Sequence, residues 1–100
     1  MIACMAAWLG LTASVTHAGT VQIVIDKMTF EPAAAAARVG DTVEWVNNDI
    51  LAHTATDRKG GWNVTIAPKQ TGRLILKKPG AFEYFCNFHP NMKGRIVVTP

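Results

Sequence analysis

The sequence predicts an all-β fold, a small antiparallel β-sandwich. Three observations carry this reading. Apolar residues recur with a period of two in five separate segments, turn-forming residues divide those segments at close intervals, and a single alanine run is the one stretch that favours a helix.

Taken in order, residues 1–18 stand apart. Met1 to Ala18 carries no charged side chain, and an apolar core over 2–11 is followed by small and polar residues ending in Thr16-His17-Ala18. That arrangement resembles a secretory signal peptide cut after Ala18, which leaves one domain over residues 19–100 in an exported, periplasmic protein. The apolar stretch is shorter than the roughly 20 residues a spanning helix needs, so no membrane span is expected in the mature form.

Val21, Ile23 and Ile25 then alternate with Gln22, Val24 and Asp26, the period of a strand with one buried face. Ala33 to Ala37 is the conflict, since alanine is the best helix former. Five alanines between Pro32 and Gly40 are too few to nucleate a stable helix, so the run is read as extended, small-residue chain against the sheet, continuing into Arg38-Val39. Val43 and Trp45 mark the next strand. Leu74 and Leu76 flank Ile75 before the turn Lys77-Lys78-Pro79-Gly80, Phe82, Tyr84 and Cys86 share one face, and Ile96 and Val98 form the last strand. Gly40-Asp41, Asn47-Asn48-Asp49, Gly60-Gly61 and Pro79-Gly80 supply the turns.

All ten Lys and Arg and all seven Asp and Glu follow residue 25, so the exported part keeps the net charge of +3. The excess is mild and contains neither a dense basic run nor a nucleic-acid motif, which speaks against nucleic acid as a partner. With Cys4 in the leader, Cys86 is the only cysteine of the mature domain. A single thiol in an oxidising compartment cannot form an internal disulfide and calls for another explanation, of which a bound metal is one.

That explanation lies in the run Tyr84-Phe85-Cys86-Asn87-Phe88-His89-Pro90-Asn91-Met92, where a thiol, an imidazole and a thioether stand three residues apart. Each alone has an ordinary reading: a buried cysteine is a small hydrophobe, a histidine after a strand is a loop residue, and a methionine fills gaps. Together they are far more specific. Soft sulfur donors combined with imidazole suit copper that cycles between two oxidation states, and two His, one Cys and a weak axial Met form the known electron-transfer arrangement. The missing donor is a second histidine. His17 lies in the leader, which leaves His53, in a loop after the turn Asn47-Asn48-Asp49 and Ile50-Leu51-Ala52. Asn47, or the backbone N–H of Thr54, is placed to hydrogen-bond the thiolate or its loop, although ordinary turn capping explains Asn47 equally well.

At this point the chain resembles a family. Phe30-Glu31-Pro32, the stretch Val39 to Asp49, His53-Thr54-Ala55 and the stretch Gly80 to Gly94 are similar to the cupredoxins, the type 1 blue copper proteins, and closest to the amicyanin/plastocyanin-like group. The resemblance covers nearly all of residues 20–99. It implies a Greek-key sandwich with one copper at one end, held by His53, Cys86 and His89 with Met92 axial. It further implies that His89 reaches the surface within an apolar docking patch of Phe88, Pro90, Ile50 and Leu51, with Lys93 and Arg95 beside it to steer an acidic partner. The implied role is a monomeric, non-enzymatic carrier of single electrons between redox proteins (a dehydrogenase, a cytochrome or an oxidase), docking transiently.

Other classes are weaker. A copper carrier or storage protein would use the same donors but tends to expose Met-rich or His-rich sites, whereas this chain has one compact set. A copper oxidase or nitrite reductase needs a second, open metal centre with its own histidines, and both available imidazoles are already assigned. A metal-free, immunoglobulin-like module would leave Cys86 unexplained.

Overall fold

The computed structural model describes residues 18–100, so the leader expected over 1–18 lies, apart from Ala18, outside the described residues. Nine strands follow: β1 Thr20–Asp26, β2 Thr29–Glu31, β3 Ala34–Arg38, β4 Thr42–Asn47, β5 His53–Asp57, β6 Asn63–Ile66, β7 Thr71–Ile75, β8 Gly80–Phe85 and β9 Lys93–Thr99. They form two sheets, one ordered β2-β1-β4-β7 and the other β3-β9-β8-β5-β6. The chain changes sheet at the β2–β3, β3–β4, β4–β5, β6–β7 and β7–β8 connections, the interleaved connectivity of a Greek-key sandwich. No helix among the described residues is long and apolar enough to cross a membrane.

The alternation read from the sequence sets the inner faces. Ile23 and Ile25 of β1, Val43 and Trp45 of β4, Tyr84 of β8, and Ile96 and Val98 of β9 are all buried, with Cys86 continuing the inward face just beyond β8. The alanine run is indeed extended. As β3 it pairs with β9 from Ala34↔Arg95 to Arg38↔Thr99, and only Ala37 is fully buried, so small side chains suffice at this sheet edge.

The sheets are mixed rather than antiparallel throughout. β1 pairs β4 in parallel, and β3 pairs β9 in parallel, because successive strands enter opposite sheets and sheet neighbours are then not joined by hairpins. This matters for the site. Parallel pairing of Val24↔Val46 and Ile25↔Asn47 brings the Lys27-Met28 turn after β1 beside the Asn47-Asn48-Asp49 turn after β4, both at one pole. Antiparallel pairing would have put them at opposite poles.

The pole is held to the core through aromatic packing. Tyr84 is fully buried, its ring 4.8 Å from that of Phe30 and 5.7 Å from that of Trp45, and its hydroxyl accepts a 3.3 Å hydrogen bond from Trp45 Nε1. Opposite Tyr84 on β9 lies Gly94. A Cβ there would overlap the Tyr84 ring and hydroxyl, so glycine is required to seat the ring two residues before Cys86.

Candidate metal centre

Two loops and the start of β5 build the site. β8 ends at Phe85, and the next residues fold back before β9: His89 N–H donates to the Cys86 carbonyl (3.3 Å), Met92 N–H to the His89 carbonyl (2.8 Å) and Cys86 N–H to the Met92 carbonyl (3.1 Å). These three bonds close Cys86 to Met92 into a tight loop. Cys86 and Met92 are buried in the apolar core cluster, and His89 is half-buried.

His53 is the first residue of β5, not a loop residue, and it is fully buried. Its strand escaped the sequence reading because His53, Thr54, Ala55 and Asp57 are all buried, leaving no alternation to detect. The Cys86 Sγ lies 3.8 Å from Nδ1 of His53 and 3.8 Å from Nδ1 of His89. All three donor atoms fall within 4.8 Å of one another, and the imidazole rings meet edge to face at 5.2 Å.

These separations fit a metal. For a first-row ion with metal–sulfur and metal–nitrogen bonds of about 2.3 and 2.05 Å, a trigonal angle of 120° separates sulfur from nitrogen by about 3.8 Å, whereas a tetrahedral angle gives about 3.6 Å. The two equal 3.8 Å distances fall within reach of one ion held by the thiolate and both imidazoles. A thiolate combined with two imidazoles suits copper, and the thioether expected from Met92 on the same loop would add to that preference.

Thr54 lies against the sulfur. Its backbone N–H points at Cys86 Sγ over 3.4 Å, and its hydroxyl accepts a 2.8 Å bond from Asn87 N–H, so one residue holds both the sulfur and the loop behind it. Asn47 does not touch the thiolate. It is buried, with Nδ2 donating to the carbonyls of Leu51 (2.8 Å), Ala67 (3.2 Å) and Ile66 (3.3 Å) while Oδ1 accepts from Asp49 N–H (2.9 Å). Its work is to fold the 47–53 loop against the end of β6.

The sequence reading missed Asp49, taken there only as a turn former. Its carboxylate lies 2.8 Å from His53 Nε2, the ring nitrogen turned away from Cys86, and accepts from Lys27 N–H (2.8 Å) and Met28 N–H (3.1 Å). An imidazole whose outer nitrogen is fixed by a carboxylate has its tautomer and ring plane set for metal binding. Partial burial opposes ionisation of Asp49, but the bonds from His53, Met28 and Lys27 together outweigh it and hold the carboxyl below its usual range. The signal was available in the sequence as an acid four residues before a candidate ligand, but the partner turn at Lys27-Met28 was not.

The apolar residues expected to surround His89 all lie at the surface. Ile50, Leu51 and Phe88 are 79%, 48% and 57% exposed, and Pro90 is exposed beside them. Lys93, opposite Phe85 at the end of the ladder, is exposed near this patch. Arg95 sits two residues further down the strand and pairs with Glu83 at 3.4 Å, so part of its charge is met locally. Lys69, which no motif singles out, reaches the same pole by donating from Nζ to the Asn48 carbonyl at 2.6 Å.

Comparison with known proteins agrees with this geometry. A family model described as a cupredoxin-like domain matches residues 1–98. The chain is 30% identical over 87 residues to amicyanin-alpha of Methylorubrum extorquens, covering 81% of this chain and 73% of that protein. It is 31% identical over 86 residues to amicyanin of Paracoccus denitrificans, covering 80% of this chain and 66% of that protein, just under two thirds of its length. An oxidised structure of an amicyanin variant superposes with a TM-score of 0.72 at 29% identity, covering 86% of this chain and 87% of that one. By its fold, its copper-type donor set and its match along almost the whole sequence, the chain belongs to the cupredoxin-like family.

Proposed function

We propose that this protein is a blue copper electron carrier in which His53, Cys86, His89 and Met92 would hold one copper ion. The observation that carries the reading is the Cys86 sulfur at equal 3.8 Å distances from two imidazole nitrogens, within a buried pocket. Copper bound there supplies a centre that gains or loses one electron. The protein contributes rigidity. His53 is clamped between Asp49 and the core, Cys86 is fixed by its own backbone and by Thr54, and the loop to Met92 is closed by three backbone bonds. Donors that cannot move far leave little rearrangement between the two oxidation states, and small rearrangement makes electron transfer fast.

His89 is the half-buried member of the set, and the exposed apolar residues Ile50, Leu51, Phe88 and Pro90 would form the surface that meets a redox partner over a small, quickly dissociating interface. Lys93, Lys69 and the partly neutralised Arg95 favour a partner with an acidic rim. Export to the periplasm with loss of residues 1–18 is supported by their charge-free, apolar composition and by the single cysteine of the remainder. Amino-terminal sequencing of protein secreted from a bacterial host checks it.

Electron carriage is tested against ion carriage by repeated reduction and reoxidation in the presence of a strong Cu(I) chelator. The carrier of electrons retains its copper and colour through many cycles. Loss of the ion to the chelator on first reduction would identify a copper carrier instead.

A further inference from the structure

A second site lies away from the ligand loop. β6 and β7 close tightly at Gly72, where a Cβ would come within 2.7 Å of Ile66 Cγ1 and 2.8 Å of Val64 Cγ1. Beyond that point β7 continues through Leu74 and Ile75 while the chain before β6 turns at Arg58–Gly61, and residues of both segments line an opening. The opening is a cleft of about 450 Å³. Asp57, where the turn begins, is four residues along β5 from His53, about 13 Å at strand rise.

The floor of the cleft is Trp62, Phe82, Leu74 and Leu76, the two aromatic rings 6.3 Å apart and inclined at 51°. Its rim carries Lys59, Lys77 and Lys78. Among the described residues the ion pairs are His53–Asp49, Arg73–Glu44 and Arg95–Glu83, so none of the three lysines is neutralised. Asp57 also lines the cleft, but its carboxylate is taken up by Lys59 N–H (3.2 Å) and Gly61 N–H (3.0 Å) within the turn it shapes. An apolar, aromatic floor under three unpaired cations is chemically complementary to a flat apolar body bearing a negative charge, and the volume suits a small molecule rather than a protein surface.

We propose that this cleft binds a small aromatic anion, a carboxylate or sulfonate whose ring system lies on Trp62 and Phe82 while its charge meets Lys59, Lys77 and Lys78. The site is independent of the metal centre and stands or falls separately from the electron-carrier reading.

Isothermal titration of the copper-loaded protein with 1-anilinonaphthalene-8-sulfonate at low ionic strength tests it. One saturable site is expected, unchanged when copper is removed and unchanged in Phe88→Ser at the opposite pole. Reversing two exposed charges in Lys77→Glu/Lys78→Glu is expected to weaken binding at least tenfold, and the uncharged analogue N-phenyl-1-naphthylamine is expected to bind at least tenfold more weakly than the sulfonate. Absence of saturable binding, indifference to the charge reversal, or loss of binding in Phe88→Ser would each overturn the proposal.

Discussion

Removing the Asp49 carboxylate tests how the buried histidine is held. In Asp49→Ala three hydrogen bonds disappear together: those from His53 Nε2, Lys27 N–H and Met28 N–H. Lys27 lies at the surface and finds water. His53 is completely buried, so its Nε2–H loses its partner without gaining one, which costs about 1–3 kcal/mol. The Lys27-Met28 turn adds to this. Both residues have positive φ, 51° and 65°, a two-residue hairpin geometry that ordinarily calls for Asn or Gly, and Asp49 is what ties the turn down. The metal-free variant is therefore expected to be about 2–3 kcal/mol less stable in urea denaturation. With the imidazole free to turn, copper affinity measured by chelator competition is expected to fall about 10–100-fold. Asp49→Asn, which keeps one acceptor oxygen, is expected to lose less on both counts. Wild-type stability and affinity in Asp49→Ala would refute the reasoning, since His53 would then be oriented by packing alone.

Gly94→Ala drives a methyl group into the Tyr84 ring, and overpacking a closed core costs about 1–3 kcal/mol or more; chemical denaturation measures it. Tyr84→Leu in the same chain removes the clash, so the double variant is expected to be less destabilised than the sum of the two single changes. Burial pushes the Tyr84 phenol up to about 12, only partly offset by the hydrogen bond from Trp45, whereas the unfolded chain ionises near the ordinary value of about 10. Because the folded value is the higher one, this contribution is complete below about pH 10 and is lost as pH rises through about 12. It amounts to roughly 2–3 kcal/mol. Tyr84→Phe is expected to flatten that alkaline decline relative to wild type, while costing about 1–2 kcal/mol at neutral pH for the abandoned Trp45 N–H.

What the sequence revealed follows from where local rules suffice. Period-two alternation identified β1, β4, β8 and β9 because each has one buried face, and the alanines of β3 were read as extended because five of them cannot sustain a helix. β5 and β6 were not foreseen, since β5 is buried on both faces and β6 has only four residues. Parallel pairing of β1 with β4 depends on the order in which strands enter the two sheets, which no local pattern records. The same holds at the site. The convergence of Cys86 and His89 is legible because one loop carries several donor types, and that of His53 because few histidines exist. Asp49 is further held by the Lys27-Met28 turn that arrives beside it, and Asn47 was left between a thiolate contact and a turn cap because its partners Ile66 and Ala67, at the end of β6, come beside Leu51 only in the folded chain.

The visible absorption spectrum on adding one equivalent of Cu(II) tests the central claim most directly. A thiolate bound to copper in a trigonal site with two imidazoles gives an intense blue charge-transfer band, retained with a shifted redox potential in Met92→Leu and abolished in Cys86→Ser. A colourless wild-type protein, or a Cys86→Ser variant that keeps the band, would contradict it.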